Sequence, residues 1–148
     1  MASRSIDDCH PIVAAMLREC VAGWQAVGLD VLVTCTYRDG AEQDALFARG
    51  RTLPGAVVTN ARAGQSAHNF TQHGRPASLA FDVVPLVNGK PEWSTKGPAG
   101  EAWRAVARVA KAAGLAWYGD PGQPFKEFPH FEHPNARALR TTPETLQA

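Results

Sequence analysis

Between residues 12 and 27 apolar side chains recur at helical spacing, with Val13, Leu17, Val21 and Trp24 on one face, so the segment is expected to form an amphipathic helix. Ser5 and Asp8 are placed for a capping box before it, and Gly28 for a stop after it. Residues 29–37 (LDVLVTCTY) are apolar and β-branched, as a buried strand requires, and the polar RDG that follows ends the run. A short helix over residues 41–48 stops at Gly50.

Residues 51–77 carry little periodicity and contain Pro54 and Pro76, so they read mainly as loop, with a short strand at 57–59. A loop of that length in a small domain usually has a function. Residues 79–87 (LAFDVVPLV) predict the second strong strand, in which alternation puts Asp82 on one face with Ala80 and Val84, and an NGKP turn follows at 88–91. A third helix spans 99–113, with Trp103, Val106, Val109 and Ala110 as its apolar stripe and Gly114 as its stop. Two more short strands fit residues 115–118 and 125–131. This order predicts an α+β fold, a single domain over residues 1–148 with a small, mainly antiparallel sheet flanked by helices.

Composition narrows the function classes. The 148 residues suit one sizeable core, and 15 basic against 14 acidic side chains argue for neither a nucleic-acid nor a membrane-surface partner. No segment approaches the roughly 20 apolar residues of a membrane span. The first twenty residues hold no apolar run of signal-peptide length, so a soluble cytoplasmic product is expected; the protein is also expected to be a monomer. Three cysteines, Cys9, Cys20 and Cys35, have no paired spacing and read as reduced packing residues.

The chemical signal lies in two segments, SAHNFTQHGRPASLAFD and KEFPHFEHP. A catalytic zinc takes three ligands from His and carboxylate at about 2.0–2.2 Å and leaves a fourth position to water. His68, Asp82 and His130 meet that need. A general base is also required, and Glu127 can supply it if the chain turns between Glu127 and His130, because residues three apart on a regular strand face opposite ways. Pro129 makes such a turn reasonable, while Glu132, on the face of His130, is either a rival base or a partner that orients the imidazole.

These segments, together with TCTYRDGAEQDALFARGRTLPG and TNARAGQSAH, resemble the zinc peptidases that include D-alanyl-D-alanine dipeptidases and carboxypeptidases and the L-alanyl-D-glutamate endopeptidases of phage lysis. The resemblance covers residues 31–134. It implies the DD-peptidase, hedgehog-like zinc fold and hydrolysis of a peptide bond in peptidoglycan stem peptides. It further implies Zn2+ on His68, Asp82 and His130, Glu127 as catalytic base, and Arg38 as a catalytic and substrate-binding guanidinium at the oxyanion. Gln43 and Ser66 match positions that bind substrate or support loops. A lysis enzyme of this kind is made in the host cytoplasm and reaches the periplasm and cell wall once the membrane is permeabilised. The alternatives are a D-Ala-D-Ala carboxypeptidase, a non-catalytic zinc-containing wall-binding module, and a cysteine peptidase built on Cys35.

The chain departs from the family pattern between His68 and Asp82, where TQHGRPA is inserted and Ser78 stands for the usual glycine. Loop-closure entropy grows only with the logarithm of length, so the insertion is tolerable. It brings a rival ligand, His73, closer to Asp82 in sequence; SAHNF carries the resemblance and favours His68.

Overall fold

The computed structural model describes residues 2–123 and 126–141. Helix α1 (Pro11–Ala26) begins one residue earlier than its periodicity suggests, because Pro11 has the fixed φ and missing N–H suited to a first helical position. Its N-cap is His10, whose Nδ1 accepts from the Ile12 N–H at 3.2 Å. Ser5 instead caps a separate 3-10 turn, Ile6–Asp8. Helix α1 packs on α3 (Pro98–Ala112), burying Leu17, Cys20 and Trp24 against Trp103, Val106 and Ala110. The Trp24 indole donates to the Val106 carbonyl at 3.1 Å, so its one polar atom is satisfied inside the core.

The main sheet is antiparallel throughout. Strands β1 (Val31–Cys35), β4 (Ala80–Val87), β7 (His130–Glu132) and β6 (Ala116–Trp117) lie in the order β1-β4-β7-β6, and β5 (Lys90–Pro91) folds back on β4 through Asn88 and Gly89. The structure therefore has the α+β architecture with a small antiparallel sheet that the patterning implies. Phe131 stacks between Phe81 and Trp117 at 5.8 and 6.2 Å across three adjacent strands, and removing its ring would cost about 3–5 kcal/mol.

Three local expectations are corrected. Residues 57–59 form no strand; they run beside α2 (Gly40–Ala48), where the Arg51 guanidinium donates to the Thr59 carbonyl at 3.0 Å. The strand expected at 125–131 is reduced to β7, and Phe125 lies outside the described residues. Glu127 donates its N–H to Tyr118, and the His130 N–H then returns to the Glu127 carbonyl at 3.3 Å, closing a turn over Phe128 and Pro129. Finally, the inserted residues are ordered as a hairpin of β2 (Thr71–Gln72) and β3 (Arg75–Pro76), whose two turn residues His73 and Gly74 have φ of 52° and 73°. Positive φ at both positions matches the right-handed twist of the flanking strands. A last helix, α4 (Ala136–Thr141), was not legible in the periodicity, and its Arg140 donates to the Gln65 carbonyl just before Ser66.

A single irregularity positions the site. Val33 pairs with Val83 and Cys35 with Asp82, so Thr34 is an extra residue in β1. This bulge places Cys35, rather than Thr34, beside Asp82, and on its other side Asp82 is directly opposed to His130.

Candidate metal centre

His68 reaches the sheet from a 3-10 turn, Ala67–Asn69, that is pinned on several sides. Ser66 accepts from the His68 N–H and Asn69 from the Ser66 N–H, each at 3.2 Å, a capping box that fixes the turn. The Arg38 N–H donates to the His68 carbonyl at 3.0 Å, and the Leu79 N–H to that of Ala67 at the same distance. The imidazole is 2% exposed, with Nδ1 at 2.7 Å from the Thr36 carbonyl. Because a carbonyl only accepts, Nδ1 carries a proton, which leaves Nε2 as the nitrogen that can give its lone pair to a metal.

That nitrogen meets two further potential ligand atoms. His68 Nε2, Asp82 Oδ1 and His130 Nδ1 form a triangle whose three sides are each 3.2 Å. A tetrahedral ion bound at about 2.0 Å requires ligand atoms about 3.3 Å apart, so the triangle has the dimensions of one face of such a site. His130 is oriented as His68 is: its Nε2–H donates to Glu132 Oε1 at 2.8 Å and leaves Nδ1 as the nitrogen that could coordinate. Glu132 thus takes the orienting role, and the rings of Tyr118 and His130 lie 4.5 Å apart beside it.

A second grouping, Cys35, His68 and Asp82, also has potential ligand atoms within 4.8 Å of one another and could hold a metal. Cys35 Sγ lies 3.7 Å from His68 Nδ1, the nitrogen already committed to Thr36. The same geometry weighs against Cys35 as a peptidase nucleophile, since the nearest imidazole nitrogen carries a held proton and the thiol is buried. His73 sits exposed in the hairpin turn, apart from both groupings.

The charges around the triangle reinforce one another. Burial opposes ionisation of Asp82, but His68 and His130 outweigh it and hold the carboxyl well below its ordinary range. Burial alone would lower the His68 pKa; the charge and hydrogen bond of Asp82 override it and raise the imidazole to about 10. His130 is raised in the same way by Asp82 and Glu132 against the effect of burial. This is a well that attracts positive charge.

Above the triangle opens a cleft of about 440 Å³, lined by His68, Asp82 and His130 together with Arg38, Ser66 and Glu127. Burial raises the Glu127 carboxyl above its usual value, and nearby Asp82 adds to the effect. Arg38 is held by Gln43 Oε1 at 3.0 Å and lies 3.5 Å from Cys35 Sγ and 3.6 Å from Asp82 Oδ2. Gln43 is fully buried, donating its amide to the Ala61 carbonyl at 2.8 Å, and it is absent from the cleft wall. Its observed contact is with Arg38. Ser66 lines the cleft while its hydroxyl caps the His68 turn. Sequence reasoning missed Thr36 and Asn69, whose backbone carbonyl and side-chain amide hold His68 and Arg38 in place, because no local pattern marks them.

No family model matches the sequence. Among curated proteins the chain is similar to the peptidoglycan L-alanyl-D-glutamate endopeptidase CwlK of Bacillus subtilis (strain 168), 34% identical over 121 residues. That match takes in 76% of this chain and 66% of the relative, just under two thirds of its length. Among solved structures, the L-Ala D-Glu endopeptidase ChiX of Serratia marcescens superposes with a TM-score of 0.62 at 17% identity, covering 95% of this chain and 93% of that one. The LD-carboxypeptidase LdcB, a structure described for its peptidoglycan recognition, gives 0.60 at 20% identity over 89% of this chain and 63% of the other. At these identities the structural likenesses establish the fold.

Proposed function

We propose that the chain belongs to the zinc D-Ala-D-Ala carboxypeptidase-like family of peptidases and that it hydrolyses the L-alanyl-D-glutamate bond of peptidoglycan stem peptides at the cell wall. The observation that carries the reading is the 3.2 Å triangle of His68 Nε2, Asp82 Oδ1 and His130 Nδ1 at the floor of a cleft that also holds Glu127 and Arg38. The 34% identity to an enzyme named for that bond supports the choice of substrate.

The donor set suits zinc: two imidazole nitrogens and one carboxylate, with both second nitrogens anchored and room on the cleft side. His130 is preferred to Cys35 as third ligand because His68 turns Nε2, not Nδ1, toward the open cleft. Bound there, zinc supplies Lewis acidity, making water a stronger acid and polarising a carbonyl.

The remaining work belongs to the side chains. Glu127, with its carboxyl raised by burial, takes the proton of the attacking water and returns it to the leaving amine. Arg38 aims guanidinium N–H groups at the oxygen that becomes negative in the transition state, and Gln43 holds it in place beforehand. Preorganisation of this kind removes the cost of reorienting a flexible side chain during the reaction.

The deciding experiment incubates purified wild type and Glu127→Ala with peptidoglycan, identifies released fragments by mass spectrometry and measures zinc in both proteins. Wild type is expected to hold one zinc and release fragments ending at L-alanine, while the variant keeps zinc and loses at least about a hundredfold in rate. Release of D-alanine instead would move the assignment to a carboxypeptidase. A wild type that holds zinc and releases nothing would be a wall-binding module.

A further inference from the structure

The cleft contains a second arginine for which the mechanism above has no use. Arg49 follows α2 as its C-cap, in extended conformation, and lines the same cleft as His68, Asp82, Glu127 and His130. Its backbone is fixed: its N–H donates to the Leu46 carbonyl at 3.2 Å, and Arg49 bridges to Leu53. The next residue, Gly50, has φ of 73° and leaves no space for a Cβ, which would fall 2.6 Å from the Val57 nitrogen.

The neighbouring arginines are committed to the fold. Arg51 donates to the carbonyls of Phe47 and Thr59 and to Asn60, and it stacks on the Phe47 ring at 3.8 Å. Arg62 covers the same ring at 4.8 Å. Arg38 is tied to Gln43 and Asp82. Among the described residues the Arg49 side chain has no ion pair or hydrogen bond, although it lines the same cleft as the carboxylates of Asp82 and Glu127. A guanidinium left uncommitted on the wall of a cleft presents a fork of donors that matches a carboxylate on the ligand.

The substrate supplies such a carboxylate at a defined place. In stem peptides D-glutamate is linked onward through its γ-carboxyl, so its α-carboxylate is free and sits on the carbon that bears the scissile nitrogen. A terminal D-alanine carries its carboxylate at the same position relative to the bond that releases it. We infer that Arg49 is the specificity-determining residue that binds this free α-carboxylate on the leaving amino acid. Arg38 is already assigned to the oxyanion, which leaves Arg49 as the other arginine lining the cleft that can meet this carboxylate. The inference rests on the peptidase reading of the cleft and goes beyond it by naming what distinguishes a good substrate from a poor one.

The test compares two soluble stem-peptide fragments, one with the α-carboxylate of D-glutamate free and one with it converted to the carboxamide, on wild type, Arg49→Ala and Arg49→Gln. Wild type is expected to prefer the acid by about ten- to a hundredfold in kcat/KM, the range of one charge-assisted contact. Both variants should cut the acid at close to the rate of the amide, leave the amide rate within about twofold of wild type, and retain their zinc and Tm. Equal cleavage of acid and amide by wild type, or an equal loss on both substrates in the variants, would overturn the assignment while leaving the peptidase reading intact. Should wild type release only terminal D-alanine, the same comparison on a free and an amidated C-terminus decides the matter. Cleavage of none of these peptides would remove the peptidase reading and this inference with it.

Discussion

His130 and Glu132, two residues apart on β7, are joined at 2.8 Å from imidazole Nε2–H to carboxylate, while the other nitrogen of the same ring lies 3.2 Å from Asp82. The ring can face Asp82 with a lone pair only because Glu132 takes its proton on the far side. Burial opposes ionisation of Glu132, yet the bond to His130 outweighs it and holds the carboxyl below its ordinary range. Glu132→Gln can present its amide with the wrong polarity and lacks the charge. The variant is expected to bind zinc about ten- to a hundredfold more weakly, with activity restored by excess metal. Competition with a coloured chelator measures the affinity, and unchanged affinity would remove Glu132 from the centre.

Gln43 offers a different separation of roles. It is fully buried, and its amide joins Arg38 to the Ala61 carbonyl. Gln43→Ala should cost about 1–3 kcal/mol of stability through the unsatisfied partners it leaves. Zinc content should stay unchanged while kcat falls more than KM rises, since Arg38 would lose its fixed aim at the transition state. A change confined to KM would point instead to substrate contact.

The two histidines of the SAHNFTQH segment are distinguished by their backbones. His73 occupies a left-handed turn position at φ 52°, and His68 sits 2% exposed in the triangle. His73→Asn, a residue that tolerates the left-handed region, is expected to keep full zinc occupancy. His68→Asn should lose at least about a hundredfold in affinity, because it removes one of the three proposed ligands. Loss of metal in His73→Asn, read by elemental analysis, would reverse the ligand assignment.

His10 predicts a pH effect away from the metal. Burial, reinforced by nearby His133, holds its pKa below the ordinary 6.5, and its Nε2 is buried without a hydrogen-bond partner. As pH falls through 6.5 the unfolded chain takes up a proton that the folded state resists, so this contribution is fully present above the unfolded pKa and is lost on acidification. His10→Asn keeps an N-cap acceptor for α1 but has no titrating group. Its Tm should fall less than that of wild type between about pH 7 and about pH 5, with the difference largest at the acid end. Parallel curves for the two proteins would show that His10 titrates normally.

Burial also pushes the Cys9 and Cys20 thiols up to about 12. In the native protein neither is expected to react with a thiol reagent at about pH 8 on the timescale of minutes, because the thiolate is the reactive species. Mass spectrometry before and after denaturation checks this, and modification of either in the native state would mean that its segment opens readily.

Much of the architecture follows from local pattern. The helical spacing of Val13, Leu17 and Trp24, the apolar run around Asp82 and the stripe on α3 each report which face must leave water, and that requirement acts on neighbours in sequence. The residue types of the centre were legible for a related reason: with only 5 histidines in 148 residues, their crowding beside carboxylates is informative. The expected strand at 57–59 failed because extended, β-branched residues form a strand only when another strand offers its backbone groups, and among the described residues none does.

What tertiary structure alone decided is which atoms meet. The bulge at Thr34 sets the parity of β1 and so brings Cys35 beside Asp82, a choice fixed by pairing with a strand about 50 residues away and invisible in β1 itself. The tautomers of His68 and His130 depend on the Thr36 carbonyl and on Glu132, and their meeting at 3.2 Å joins segments 62 residues apart. Gln43 is buried beneath Arg38 while Arg49, six residues on, is left uncommitted on the cleft wall among the described residues. The sequence by itself determined which elements form and which residue types could bind a metal, since both follow from short-range spacing and side-chain chemistry. Register, tautomer and exposure belong to the folded chain, because each is set by a partner brought from a distant part of the sequence.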